Sequence, residues 1–379
     1  MHIALNGYFW SRPDTGSGQY LRQLVYHLNR LVSDLALTLV VPGLVAPEQV
    51  PPSVKVIQMA TRPGHLGKVW FEQVDFPRAC RQAGADLAHV PYWGPPLRSP
   101  VPLVVTIHDL ITLILPDYRR GLRARLYNAL VSAAARGASH IITDSQFSKA
   151  DITGRLAIPE SRITPIYLAA DRQYTPQSQF LLDMAVQRKY DLPDFFVLYL
   201  GGYETHKNVA TLLLAYTYVA QAMGEEYPLL LSGRKPTPGP HFPDYANYIE
   251  QLNLGRHIRW LGYIDEEDKP ALYRAASAFV FPSRYEGFGL PVLEAMACGT
   301  PVITTDAASL PEVVGQAAFA IPPDDEREMA GAIIATLIQD SLAAELKQKG
   351  LDQATKFSWE ETATQTLLVY DQINNLKQG

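Results

Sequence analysis

The sequence predicts an α/β protein built from two doubly wound domains, each around a parallel sheet. Three observations point there. A chain of 379 residues is long enough for two separate cores. Apolar runs of strand length alternate with helical patterns, the sign of a sheet with helices on both faces. The stretch from Ala278 to Thr304 reads as strand, glycine loop, short helix and strand in immediate succession.

Composition narrows the class. Apolar residues make up 47% and charged residues 19%, as in a soluble globular protein. The two cysteines, Cys80 and Cys298, sit in no metal-type pattern and suit a reducing compartment, so a cytoplasmic location is expected. Met1–Leu5 enters a strand at once, which reads as no signal peptide, and no uncharged apolar run approaches membrane-spanning length. The net charge of −5 is uneven: residues 1–180 hold 18 Lys and Arg against 12 Asp and Glu, and the remainder is acidic. The basic residues are scattered and lack interleaved aromatics, which argues against a nucleic-acid partner.

In chain order, Ile3–Leu5 is the opening strand, and Asp14–Tyr20 reads as a glycine loop feeding a helix with apolar positions 21, 24, 25, 28 and 31. Strands are expected at 35–41, 54–57 and 86–90, the last followed by the aromatic, proline-rich loop 91–96. Val101–Ile107 is nearly continuous in apolar residues, as in a strand covered on both faces. His108-Asp109 follows it, at the strand end where such sheets bind ligands. A satisfied structural histidine is the plainer reading of that position. Arg119, Arg120, Arg123 and Arg125 lie beside a partly apolar helix. A solvated basic face explains them, and the sharper alternative is docking on an anionic membrane surface or on a pyrophosphate-linked lipid acceptor. Ile141–Thr143 is a strand, Ser145 and Ser148 are helix-cap candidates, and 163–167 is a further strand. Asp171–Gln179 reads as the connection between domains.

The second half opens with the buried strand 195–200 and the loop Gly201–Asn208, then a helix from Val209. Strands follow at 229–231, ending in Ser232-Gly233, and at 258–264, with a helix expected to start in the acidic run Asp265–Asp268. Beyond the strand at 278–281, Gly287 and Gly289 shape a loop, Pro291 suits a first helical turn, and Gly299 suits the helix end. The last helix opens at Phe357–Thr362 and carries Leu367, Leu368 and Tyr370 on its apolar side.

The loop at 287–289 combines helix N–H groups, which suit a phosphate, with two carboxylates, which do not. Glu286 and Glu294 are better placed as acceptors for hydroxyl groups on either side of a phosphate, so a ligand with sugar, phosphate and ribose satisfies the set. A surface Glu beside a structural turn is the alternative.

Glu286–Val302 with Ser309–Gly315 resembles the signature of the retaining glycosyltransferases of family 4, and similar segments extend over nearly the whole chain. The resemblance implies the GT-B fold, with two Rossmann-like domains facing each other across a cleft. It gives an acceptor domain at 1–175, a donor domain at 176–358, and a last helix, 359–379, crossing back onto the first. It implies transfer of a hexose, mannose by first guess, from a nucleotide-diphosphate sugar such as GDP-mannose to a glycan or lipid-linked acceptor, without a metal or other cofactor. The catalytic set carried over is His108, Lys207 and Glu286. The donor set is Gly16, Gly18, Gly202, His206, Lys207, Ser232, Gly233, Tyr263, Ile264, Glu286, Gly287, Phe288, Gly289, Leu290 and Glu294. Asp109 is an orienting candidate for His108. Where the family pairs Arg with Lys this chain has His206 before Lys207, and a protonated His206 would partly compensate for the missing charge and make donor binding pH-sensitive. A nucleotide-sugar epimerase of the same architecture is the rival. A dinucleotide oxidoreductase fits poorly, since Gly16-Ser17-Gly18 lacks a third glycine at the required spacing, and a non-catalytic sugar-binding protein would not need Glu286, Glu294 and Lys207 together.

Overall fold

A computed structural model describes residues 1–32, 34–115 and 121–376, with Pro47 and Arg123 described by backbone alone. The chain divides into two compact units, residues 1–168 with 358–379, and residues 169–357.

In the first unit β1 (His2–Asn6) leads through a long turn to α1 (Gly16–Leu31). Thr15 caps that helix, its hydroxyl accepting from the Gly18 amide at 3.2 Å. Gly16 and Gly18 are therefore in the first helical turn, not in the loop the sequence suggested. Then come β2 (Ala36–Pro42), β3 (Lys55–Met59) and α2 (Gly64–Trp70). α2 runs without a break into a π turn, Phe71–Asp75, and α3 (Phe76–Ala83). After β4 (Leu87–Val90) and β5 (Leu103–Thr106) come α4 (Ile111–Ile114), α5 (Leu122–Gly137), β6 (His140–Thr143), α6 (Gln146–Leu156) and β7 (Ile163–Pro165). All seven strands are parallel in the order β3-β2-β1-β4-β5-β6-β7. Strand order reverses between β1 and β4, which marks the ligand crevice at the strands' carboxyl ends.

The second unit contains α7 (Phe180–Lys189), β8 (Val197–Leu200), α8 (Val209–Met223), β9 (Leu229–Ser232), α9 (Tyr245–Gln251) and β10 (Ile258–Gly262). It continues with α10 (Lys269–Ala275), β11 (Ala278–Phe281), α11 (Leu290–Ala297), β12 (Val302–Thr305), α12 (Leu310–Val314), β13 (Phe319–Ile321), α13 (Glu326–Ile338) and α14 (Asp340–Ala354). Its sheet, also parallel, runs β10-β9-β8-β11-β12-β13, so the reversal lies between β8 and β11. Residues 265–268 form the turn that leads into the next helix, with Asp268 as its N-cap. Lys189 holds Asp265 and Asp268 at 2.6 Å each, and α10 begins only at Lys269, with Pro270 in its first turn. Residues 171–179, read above as a connection, pack within this unit. Tyr174 is buried edge-on against Tyr273, and Arg274 donates to the Thr175 carbonyl at 3.1 Å.

The last helix, α15 (Trp359–Asn375), packs on α1 in the first unit. Ser358 caps it, accepting from the Glu361 amide at 3.1 Å. Its apolar side is Ala363, Val369, Tyr370 and Ile373, while Leu368 points outward at 62% exposure. The expected stripe was misphased because Leu368 and Tyr370 lie about 200° apart on a helix. The Tyr370 hydroxyl reaches Nδ1 of His89 at 2.6 Å, and Nε2 of His89 meets the Thr106 hydroxyl at 2.8 Å. Burial lowers the His89 pKa to about 3, so this interior network is neutral. Among the described residues no single helix is long and apolar enough to cross a membrane.

Candidate active site

The loops after β8 and β11 flank the reversal point of the second sheet, and they carry the candidate polar residues. After β8 the chain makes a single 3-10 turn, Thr205–Lys207, closed by Asn208 in the left-handed region. Lys207 Nζ then meets Glu286 Oε1 at 2.7 Å, with both side chains largely buried. Backbone stitching fixes that meeting. The Arg284 amide donates to the His206 carbonyl at 2.8 Å, and the Ser309 hydroxyl bridges the carbonyls of Glu286 and Phe288 at 2.9 and 2.8 Å.

Gly289 ends the loop at φ 119° and caps α11. Only glycine suits it, because a Cβ there would also lie 2.8 Å from the Leu310 side chain. α11 thus begins at Leu290, with Gly287 and Phe288 in the approach; Pro291 carries no N–H, and the Val292 amide donates to the Gly289 carbonyl at 3.0 Å. Glu294 lies one turn on, buried, and accepts from the Tyr273 hydroxyl at 3.1 Å. Burial raises its pKa to about 7, with Lys269 opposing and Glu266 adding to the rise.

The remaining donor-set residues divide. Gly233 donates to the Gly262 carbonyl at 2.7 Å, and both glycines hold positive φ. The Ser232 hydroxyl donates to the Tyr199 carbonyl at 3.0 Å, so it ties strands together. Tyr263 is half exposed and Ile264 is buried. At Gly202 the atoms nearest to an added Cβ would be those of the Glu204 carboxylate. His206 is buried, and burial followed by the neighbouring Lys207 lowers its pKa. It is neutral at neutral pH and does not make good the missing Arg charge.

In the first unit His108 follows β5. Its Nδ1 meets Asp144 Oδ2 at 2.7 Å, and Asp144 follows the adjacent strand β6. Burial opposes a charge on His108, but Asp144, with a smaller contribution from Asp109, outweighs it and raises the pKa. Asp144, not Asp109, is the orienting partner, since Asp109 Oδ1 instead accepts from the Ile111 amide at 2.9 Å. The parallel pairing of β5 with β6 was the signal for Asp144. Ser145 caps α6, and the Ser148 hydroxyl donates to the His108 carbonyl at 3.3 Å. Arg119 and Arg120 lie outside the described residues, as does the Arg123 side chain, while Arg125 is exposed.

Gly16 and Gly18 have different burdens. A Cβ on Gly16 would meet nothing within 4 Å, while one on Gly18 would lie 2.0 Å from the Arg12 carbonyl oxygen. Gly18→Ala is expected to cost about 1–3 kcal/mol of stability. Gly16→Ala is expected to stay within about 0.5 kcal/mol of wild type. Urea unfolding of the two variants checks this, and equal midpoints would refute it.

Among the described residues no cluster of three His, Cys, Asp or Glu side chains is arranged to hold a metal ion. Residues 185–353 match the family described as Glycosyl transferases group 1, and residues 15–174 match Glycosyltransferase Family 4. The O-antigen chain mannosyltransferase B of Escherichia coli is 37% identical over 298 residues, which are 78% of this chain and 77% of that protein. The serotype-specific mannosyltransferase WbdA of Escherichia coli is 31% identical over 270 residues, 69% of this chain but 32% of that longer protein. Sucrose-phosphate synthase from Thermosynechococcus elongatus superimposes with a TM-score of 0.76 at 22% identity, over 98% of this chain and 99% of that one. WaaG, a glycosyltransferase involved in lipopolysaccharide biosynthesis, gives 0.72 at 15% identity, over 97% and 98%.

Proposed function

The chain belongs to the group 1 and family 4 glycosyltransferases and has their GT-B fold, and on that premise we propose that it moves mannose from a nucleotide-diphosphate sugar, GDP-mannose first, to a hydroxyl of a growing surface polysaccharide, with retention at the anomeric carbon. The observation that carries this is the Lys207–Glu286 pair, held at 2.7 Å on the two loops that flank the sheet's reversal point. The named mannosyltransferase relatives support the sugar and the product class.

In this reading the second unit holds the donor. Lys207 and the amides of Phe288, Gly289 and Leu290 stabilise the negative charge that grows on the leaving diphosphate. Glu286 accepts hydrogen bonds from the transferred sugar, and Glu294 from the ribose. His108, oriented by Asp144, contacts the sugar at the reaction centre. The leaving phosphate takes the acceptor's proton, so neither a metal nor an enzymic base is required. An epimerase would convert the donor without any acceptor, and the transferase relatives favour transfer.

A thermal-shift panel of nucleotide sugars tests the proposal, since a ligand that binds only the folded state raises Tm. GDP-mannose is expected to give the largest rise, with mannose released onto an oligomannoside acceptor. No rise with any nucleotide sugar would overturn the reading.

A further inference from the structure

The second unit holds a cavity of about 460 Å³ whose walls include none of the residues assigned to the donor. That volume lies within the range of ligand pockets, about 300–1,000 Å³. It opens at the far end of α11, beside Cys298 and Gly299, and next to the last turn of α10, at Arg274 and Ala275. α11 is 8 residues long, so about 12 Å of helix separates the cavity from the donor loop at Gly289. α7 turns one stripe to the cavity: Phe180, Asp183, Met184 and Gln187, at the i, i+3, i+4 and i+7 spacing. A helix packed on a core carries apolar residues at that spacing. Here two of the four are polar, Phe180 is 69% exposed, and Val186 is the buried residue of the helix.

Four charged side chains line the same cavity: Arg274, Lys347, Asp183 and Asp194. The Arg274 side chain is 8% exposed, donates to the Thr175 carbonyl at 3.1 Å and pairs with Asp183. Its Nε is left without an acceptor in the protein. A buried donor in that state is costly unless a ligand or water completes it. The Lys347 stem passes over Gly299, where a Cβ would fall 3.1 Å from Lys347 Cε. Among the described residues neither Lys347 nor Asp194 enters an ion pair. Two cations therefore stand with two carboxylates, and the lining has no net charge with which to select an anion or a cation. An apolar ligand would take water from Lys347 and Asp194 and return no hydrogen bond. A hydroxyl both donates and accepts, so it serves a lysine and an aspartate together.

We propose that this cavity is a second glycan site, remote from the donor loops, which takes one neutral pyranose unit of the growing polysaccharide. The C–H face of the ring lies against Phe180 and Met184, and its hydroxyls meet Lys347 and Asp194. The assignment rests on the transferase reading given above. A polymer anchored here by one unit stays on the enzyme between additions, and tethering raises the effective concentration of its end. The site thus acts on acceptor length and leaves the chemistry of transfer alone: a long acceptor engages it and a single sugar gains nothing from it.

The test uses the whole protein, labelled with carbon-13 at its methionine methyls, without donor. The chain has 6 methionines, and the Met184 signal is the one lost in Met184→Leu. It is titrated with a linear mannotetraose and, separately, with inorganic phosphate, for wild type, Phe180→Ala and Lys347→Met. The expected result is a saturable shift of the Met184 methyl with the tetraose, none with phosphate, and an affinity about tenfold weaker in both variants. Nucleoside diphosphate affinity, read by calorimetry, is expected to be unchanged, which also shows the variants are folded. With GDP-mannose as donor, wild type is expected to favour the tetraose over methyl mannoside by about tenfold in kcat/KM. Both variants are expected to lose that advantage and keep the wild-type rate on methyl mannoside. No Met184 shift with the tetraose, an equal shift with phosphate, wild-type affinity in the folded variants, or an undiminished length advantage would each overturn the proposal. If Met184 responds as expected but no nucleotide sugar supports transfer, the cavity stands as a glycan site and the transferase reading fails.

Discussion

Replacing Lys207 with alanine is expected to lower kcat/KM by ~10³-fold or more and to weaken nucleoside diphosphate binding by about 2–4 kcal/mol. Part of that loss is electrostatic in a second sense. Lys207 is the cation that Glu286 faces at 2.7 Å, so the variant leaves a largely buried carboxylate without its partner. Such a break costs about 3–5 kcal/mol of stability when burial is complete. The two effects separate in a double-mutant cycle. Lys207→Ala with Glu286→Gln is expected to recover much of the folding stability and none of the diphosphate affinity. Glu286→Gln alone is expected to lower turnover while leaving diphosphate binding near wild type. Unchanged calorimetric affinity in Lys207→Ala would remove the clamp from the mechanism.

Glu294→Gln is expected to move stability and binding in opposite directions. The folded-state pKa of Glu294 is about 7, against an ordinary value of 4.5. Below pH 4.5 the carboxyl is protonated in both states and contributes nothing to the balance. Between those values the unfolded chain loses the proton and the folded chain keeps it, so stability falls as pH rises. Above pH 7 the full cost applies, on the order of 3 kcal/mol. The amide variant lacks this cost and is expected to melt higher than wild type at pH 8 and level with it near pH 4. Its affinity for nucleoside diphosphate is expected to fall by about 10–100-fold, because ribose hydroxyls lose a charged acceptor. Parallel stability–pH curves would refute the first expectation, and normal diphosphate binding would refute the ribose assignment. A site held at the expense of stability is a common pattern in enzymes.

Strand and helix alternation was legible because buried parallel strands are written as short apolar runs, and Val101–Ile107 and Phe279–Phe281 are of that kind. The α11 unit was legible almost to the residue, since Gly289, Pro291 and Gly299 each constrain the backbone at one point. The position of α1 was misjudged because Thr15, a good cap, was read as part of the loop. Asp144 escaped because its role depends on which strand lies beside β5, a long-range fact with no local sign. The burial of Glu72 beside Lys68 was not legible for a related reason. Residues 64–83 form a helix interrupted by a π turn, and an interrupted period conceals which side chains share a face. The charge state of His206 was left open by the sequence, because neither burial nor the effect of Lys207 on a neighbouring ring can be read from a dipeptide.

The π turn at Phe71–Asp75 also changes what a difference in length would mean. An α-helix advances about 100° per residue, and a π turn accommodates one residue beyond the regular pitch. α3 is held by the core through Phe76, Ala79 and Cys80, so its orientation is set. Removing a single residue from 71–75 would restore regular pitch and leave α2 close to its present bearing, because the widened turn has absorbed the extra residue. When this chain is aligned with its relatives, a one-residue gap in this stretch is therefore compatible with an unchanged place for Lys68 beside the Tyr127 ring.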